Sequence, residues 1–206
     1  MFSERLSFGG LGLRISGETP WQLSPLCAPF RTEAAPAAHE IHLRLSDTMP
    51  TPPDGTPCSL RTYRWRTGAQ RHTLHDHVSD FTYAVTDGNS TELTVSTGYA
   101  GNLRTQLLLE AVDLFDILAE RGMLVLHSSY VLRKEGDAIL FSGASGIGKS
   151  TQAELWREFA AARVINGDRS LVDVDRGMAH GIFYSGTSGI CENHSAPISA
   201  IVLPEQ

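Results

Sequence analysis

The sequence predicts an α/β domain that follows an N-terminal β-rich region. Three observations lead there. Short alternating apolar runs, broken by Pro, Gly, Asp and Asn, fill residues 1–101. A stretch with helical apolar spacing occupies 102–122. From 123 onward, two apolar runs run into a glycine-rich loop, which opens a second amphipathic stretch. Period two marks half-buried strands and period 3.6 marks helices.

In the first region, Leu11–Ile15 and Ile41–Leu45 alternate as strands do. Thr48–Pro57 carries four prolines and is irregular, because each proline fixes φ and removes a donor. Leu60–Arg66 and Arg71–His75 flank TGAQ, and Phe81–Val85 and Glu92–Ser96 flank TDGNS, so both pairs predict hairpins. The next segment predicts one connecting helix. Asn102 is its candidate N-cap, Leu103, Leu107, Ala111, Leu114 and Leu118 share a face, and Gly122 ends it. The domain from 123 to 206 then begins with a hairpin, 123–132 against 138–143. Thr151–Ala162 predicts a helix, and RVIN, LVDV, GIFYS and ISAIVL predict strands.

Bulk properties exclude several classes. The chain has 206 residues and a formal charge of −6, with no basic run, which argues against nucleic acid or an anionic membrane as partner. No apolar run reaches the roughly 18 residues of a membrane span. The N-terminus lacks the apolar core of a signal peptide. Cys27, Cys58 and Cys191 are widely spaced and odd in number, which predicts reduced thiols and a cytoplasmic location.

The sharpest signal is Gly143-Ala-Ser-Gly-Ile-Gly148-Lys149-Ser150, which matches G-x-x-x-x-G-K-[ST] throughout. Glycines let consecutive backbone N–H groups curl around a phosphate where a Cβ would block the approach. The helix that starts at Lys149 aims its positive end at the same point. Lys149 carries a mobile positive charge for the β and γ phosphates, and the Ser150 hydroxyl suits Mg²⁺. The candidate nucleotide-binding residues are Gly143, Ala144, Ser145, Gly146, Ile147, Gly148, Lys149, Ser150 and Thr151. The expected cofactors are ATP and Mg²⁺.

Such a loop needs a carboxylate on a neighbouring strand for the metal. Asp168, in VINGD, ends the next predicted strand and is preferred; Asp173 is the second candidate. Gly167 would let that strand end open toward the loop. His127, on the strand paired with the one that feeds the loop, is a candidate to stabilise charge or move a proton near the γ-phosphate. His72, His75 and His77 in HTLHDH do not make a zinc site on this pattern, because His72 and His75 would point to opposite faces of a strand. In SGTSGICENHS, 185–195, Glu192 and Asn193 are the polar groups of interest, while Cys191 has no nearby cation to activate it.

The order of strand with His127, turn, strand, GASGIGKS, helix, strand and NGD resembles the C-terminal domain of HPr kinase/phosphorylase. It resembles ATP-dependent phosphoenolpyruvate carboxykinase more loosely. The resemblance covers about 123–206 and includes Leu126–Ser129, Asn166–Asp168 and Ser185–Pro197. It implies a carboxykinase-like P-loop domain, a mixed sheet whose hairpin precedes the loop, and ATP-dependent transfer to a serine-type hydroxyl. The acceptor would be a protein or peptide. By the same resemblance Asp168 matches the second acid of the family's acidic pair and His127 the histidine before the loop. The first acid is replaced here by Gly167, so either the proton falls to Asp168 or to His127, or the acceptor differs. The family chain continues past ISAIVL, which implies a domain incomplete at its C-terminus. The catalytic candidates are thus Asp168, His127 and Lys149, and the metal candidates Ser150 and Asp168. An ATPase or nucleotide switch, and a small-molecule kinase, fit the same loop. The chain is also a candidate homo-oligomer.

Overall fold

The computed structural model describes residues 2–18, 21–34 and 36–205. The chain divides into two compact units. One holds residues 1–7, 11–24 and 31–114, the other 8–10, 25–30 and 115–206.

The first unit is built on an eight-stranded mixed sheet. Its strands are β1 (Phe2–Phe8), β2 (Leu11–Gly17), β3 (His39–Leu45), β4 (Cys58–Ser59), β5 (Thr62–Thr67), β6 (Gln70–Asp76), β7 (Phe81–Asp87) and β8 (Ser90–Val95). They lie in the order β1-β2-β3-β8-β7-β6-β5-β4. The pairs β2/β3 and β3/β8 are parallel, and β4 to β8 form antiparallel neighbours. Alternation buries Leu13, Ile15, Ile41, Leu43, Leu93 and Val95.

The expected helix over 102–122 is broken. It becomes α2 (Thr105–Ala111) and α3 (Leu114–Ala119), after a one-turn α1 (Thr97–Ala100). Asn102 is not a cap; α2 starts after Arg104. The break is at Asp113, which adopts φ 51°. Its carboxylate accepts from Thr73 Oγ1 and pairs with Arg64 at 3.1 Å, so bonds to two distant strands override helical continuation. Gly122, at φ 72°, does follow the last helical turn.

The second unit contains β9 (Met123–Leu132), β10 (Ala138–Ser142), α4 (Lys149–Phe159), β11 (Arg163–Asn166), β12 (Arg169–Asp173), β13 (Met178–Gly181) and β14 (Ser195–Val202). β9 pairs with β10, β10 with β14, β14 with β13, β13 with β12, and β12 returns to β9. The five strands therefore close into a barrel, with β11 alongside β9. Alternate side chains Tyr130, Ala138, Leu140, Ala179 and Ala196 form its core. The opposite face gathers Val131, Ile139, Phe141 and Val164 with Ala153 and Trp156 of α4.

This architecture overturns the α/β expectation. The chain is mostly β, with 43% strand and 18% helix, and it is not an α/β P-loop fold. Parallel α/β sheets need helical crossovers that cover both faces. Here α4, at 11 residues, is the longest helix among the described residues, and β10/β14 is the one parallel pair that the barrel contains. The predicted strand GIFYS is also corrected. β13 ends at Gly181, and the carbonyls of Ile182 and Tyr184 accept from the Asn166 side chain instead of joining a ladder. Its apolar run is buried by aromatic packing, with Phe183 edge-on to Phe8 at 5.1 Å. Among the described residues no helix is long and apolar enough to cross a membrane.

Candidate functional site

The glycine loop joins β10 to α4. Gly143, Gly146 and Gly148 take φ 150°, 81° and 100°, in the region that excludes most side chains. Gly148 caps α4 in the left-handed conformation, so Lys149 is the first helical residue. A Cβ at Gly146 or Gly148 would meet nothing within 4 Å, which leaves open space over the loop. Ala144, Ser145, Ser150 and Thr151 are exposed, while Ile147 turns inward and packs over Gly143 at 3.2 Å from an ideal Cβ.

Lys149 is buried. Its Nζ donates to the carbonyl oxygens of Gly143 (3.0 Å) and Ala144 (2.9 Å). The ammonium thus lies back along its own loop.

β9 brings the remaining candidates to this end of the barrel. On one edge Ser142, the residue before the loop, pairs with Ser128, and its hydroxyl donates to the His127 carbonyl at 3.1 Å. On the other edge, the Ser128 N–H donates to the Asp168 carbonyl at 2.9 Å. Two strand spacings separate the two edges, about 10 Å. His127 Nδ1 lies 3.1 Å from the Asp168 carbonyl oxygen and 3.5 Å from Oδ1. A carbonyl only accepts, so Nδ1 is the donor in this contact. The His127 side chain is half exposed. Asp168 Oδ2 faces Arg169 Nε at 3.4 Å.

Asp173 is not part of this group. It pairs with Met123 at the other end of β9, and its carboxylate is used by the backbone N–H and guanidinium of Arg176. Glu192 pairs with Arg163 at 2.5 Å. Cys191 is buried with its Sγ on the Leu26 carbonyl, and burial raises its pKa.

Three further residues, Asn166, Gly167 and Arg169, shape the corner that carries Asp168. Asn166 is fully buried and uses its whole amide. Nδ2 donates to the carbonyls of Ile182 (2.6 Å) and Tyr184 (2.8 Å), and Oδ1 accepts from the N–H groups of Asp168 and Arg169, both at 2.9 Å. This Asx turn fixes the corner that presents Asp168; an Asn two residues before an Asp was the available signal. Gly167 is required by proximity, because a Cβ there would lie 2.2 Å from Ser188 Oγ. The neighbouring Gly186 likewise lies on the Asp168 carboxyl. Arg169 is laid across Tyr184 and Phe115, 4.9 and 5.5 Å from their ring centroids. No local sequence pattern signals that contact.

Asn166→Ala is expected to lower the unfolding free energy by about 2–4 kcal/mol, because it leaves two buried carbonyls and two N–H groups unpaired. Urea titration of the full chain would read this; a loss under about 1 kcal/mol would mean the corner stands without Asn166.

Among the described residues no group of three or more His, Cys, Asp or Glu could hold a metal ion. No protein-family model matches the chain, and no curated protein matches it.

Proposed function

We propose that the chain is an ATP-dependent kinase that transfers the γ-phosphate to a serine-type hydroxyl of a protein or peptide. The observation that carries this reading is the level of β9 at Ser128, where the entry to the glycine loop and Asp168 sit on opposite edges of one strand. The open, positive-φ loop fits a triphosphate, since its glycines leave the space that side chains would fill. ATP with Mg²⁺ would supply the transferable phosphoryl group. Lys149 would exchange the carbonyls of Gly143 and Ala144 for phosphate oxygens, a stronger charge-assisted contact. Ser150 and Asp168 would hold the metal. The acceptor proton would go to Asp168 or to the Nε2 lone pair of His127. We place the protein in the cytoplasm, a reading supported by the odd number and wide spacing of Cys27, Cys58 and Cys191.

The test follows the phosphate. The full chain is incubated with Mg²⁺, γ-labelled ATP and a lysate of its source, beside Lys149→Ala. Label on a protein band, reduced about 100-fold or more in the variant, is expected. Label found only as free phosphate, or equal transfer by both proteins, would overturn the kinase.

A further inference from the structure

The first unit holds a recess unrelated to the glycine loop. It measures about 60 Å³ and is lined by His75, His77, Thr82, Tyr99 and Glu110, with Leu107 as an apolar wall. Its polar lining is incompletely satisfied. Thr82 is 2% exposed, and its Oγ1 has no hydrogen-bond partner among the described residues; nor has His75 Nε2, which is shielded from solvent. Buried polar atoms are seldom left so, and a polar recess beside two of them is where a ligand would complete the set.

The chemistry of the lining selects the ligand. His75 Nδ1 lies 3.0 Å from Thr62 Oγ1. When Nδ1–H donates there, Nε2 faces the recess as an acceptor. Burial lowers the pKa of His75, which favours the neutral ring and with it that lone pair. Thr82 Oγ1 is a second acceptor and the Glu110 carboxylate a third. Glu110 also accepts from Gln106 at 3.1 Å through Oε1, so Oε2 is the oxygen assigned to the recess. One wall is aromatic, with His77 stacked on Tyr99 at 4.3 Å. Asp113 adds a second negative charge near His75, and Arg64 is already paired with it.

We infer that this recess binds a primary ammonium group, whose three N–H donors meet His75 Nε2, Thr82 Oγ1 and Glu110. The aromatic wall favours a cation, and the volume admits an ammonium head with its first carbon but not a guanidinium on a long stem. The ammonium could belong to a free amine or to a lysine of a partner protein.

The test uses the full chain with ¹⁵N-labelled histidine. Methylammonium chloride is titrated against sodium chloride at equal ionic strength, and the His75 Nε2 resonance is followed. A saturable shift with methylammonium alone is expected, weakened about tenfold in Glu110→Gln, an exposed position where folding is not at stake. Thr82→Val should weaken binding as well. Tighter binding of N-acetyl-lysine methylamide would assign the site to a lysine side chain; tighter binding of methylammonium would assign it to a free amine. A His75 resonance that is indifferent to methylammonium, or moves equally with sodium, would overturn the proposal and leave the recess to water.

Discussion

Asp168→Asn is expected to bind ATP almost as the parent does and to transfer its phosphate roughly 10²–10⁴-fold more slowly. The substitution is isosteric. It leaves the backbone bonds of the corner intact, because Asn166 holds the N–H groups of residues 168 and 169 while Ser128 and His127 hold the Asp168 carbonyl. What is lost is the charge that would face the metal and the oxygen that could take a proton. Nucleotide affinity would be read by calorimetry and transfer by label incorporation over a Mg²⁺ series. If Asp168 serves the metal, raising Mg²⁺ should recover part of the rate. If it serves the proton, no Mg²⁺ concentration should recover it, and His127→Ala should have a smaller effect than Asp168→Asn. Unchanged transfer by Asp168→Asn would remove Asp168 from the site altogether.

Gly181→Ala should destabilise the second unit by about 3–5 kcal/mol. A Cβ at Gly181 would lie 1.7 Å from the carbonyl oxygen of Glu192 and 2.9 Å from its carbon. Both are main-chain atoms, so no rotamer change relieves the clash. The main chain is held there on both sides: the Gly181 N–H donates to the His194 carbonyl and the Glu192 N–H to the Ile165 carbonyl, both at 2.9 Å. Gly136→Ala is the matched control. It sits at φ 90° with nothing near its Cβ position, so strain alone acts, at about 1–2 kcal/mol. Equilibrium unfolding in urea separates the two. A Gly181→Ala protein as stable as Gly136→Ala would mean that the Glu192 segment moves aside freely.

The parts of the molecule that were legible in the sequence are those set by local chemistry. The hairpins over 62–76 and 81–95 follow from alternation around Gly-containing turns. The strand, glycine loop and helix over 138–159 follow from a motif whose every residue has a steric or electrostatic reason. What was not legible depends on residues distant in the chain. The break at Asp113 is set by Thr73 and Arg64, and nothing within 102–122 announces it. The run Ile182–Tyr184 has strand composition, yet Asn166 takes its carbonyls. The same limit explains the wrong fold class. Helix and strand segments of the second unit were mostly visible, but which edges would join was not, and closure of a barrel leaves no mark on any one strand. In the site, Asp168 and His127 stood out as titratable groups, whereas Asn166 and Arg169 act through contacts that only the folded chain displays.

Closure also orders events in time. The strand that feeds the glycine loop gains its second neighbour from β14, across 61 residues at the Ser199–Ala138 bond. Contacts so far apart in sequence form late, because the intervening chain must lose its freedom before they return any energy. During synthesis, β10 is therefore expected to keep an unpaired edge until β14 has emerged. Refolding should accordingly show early recovery of helix and a slower step in which β14 docks and the loop becomes rigid.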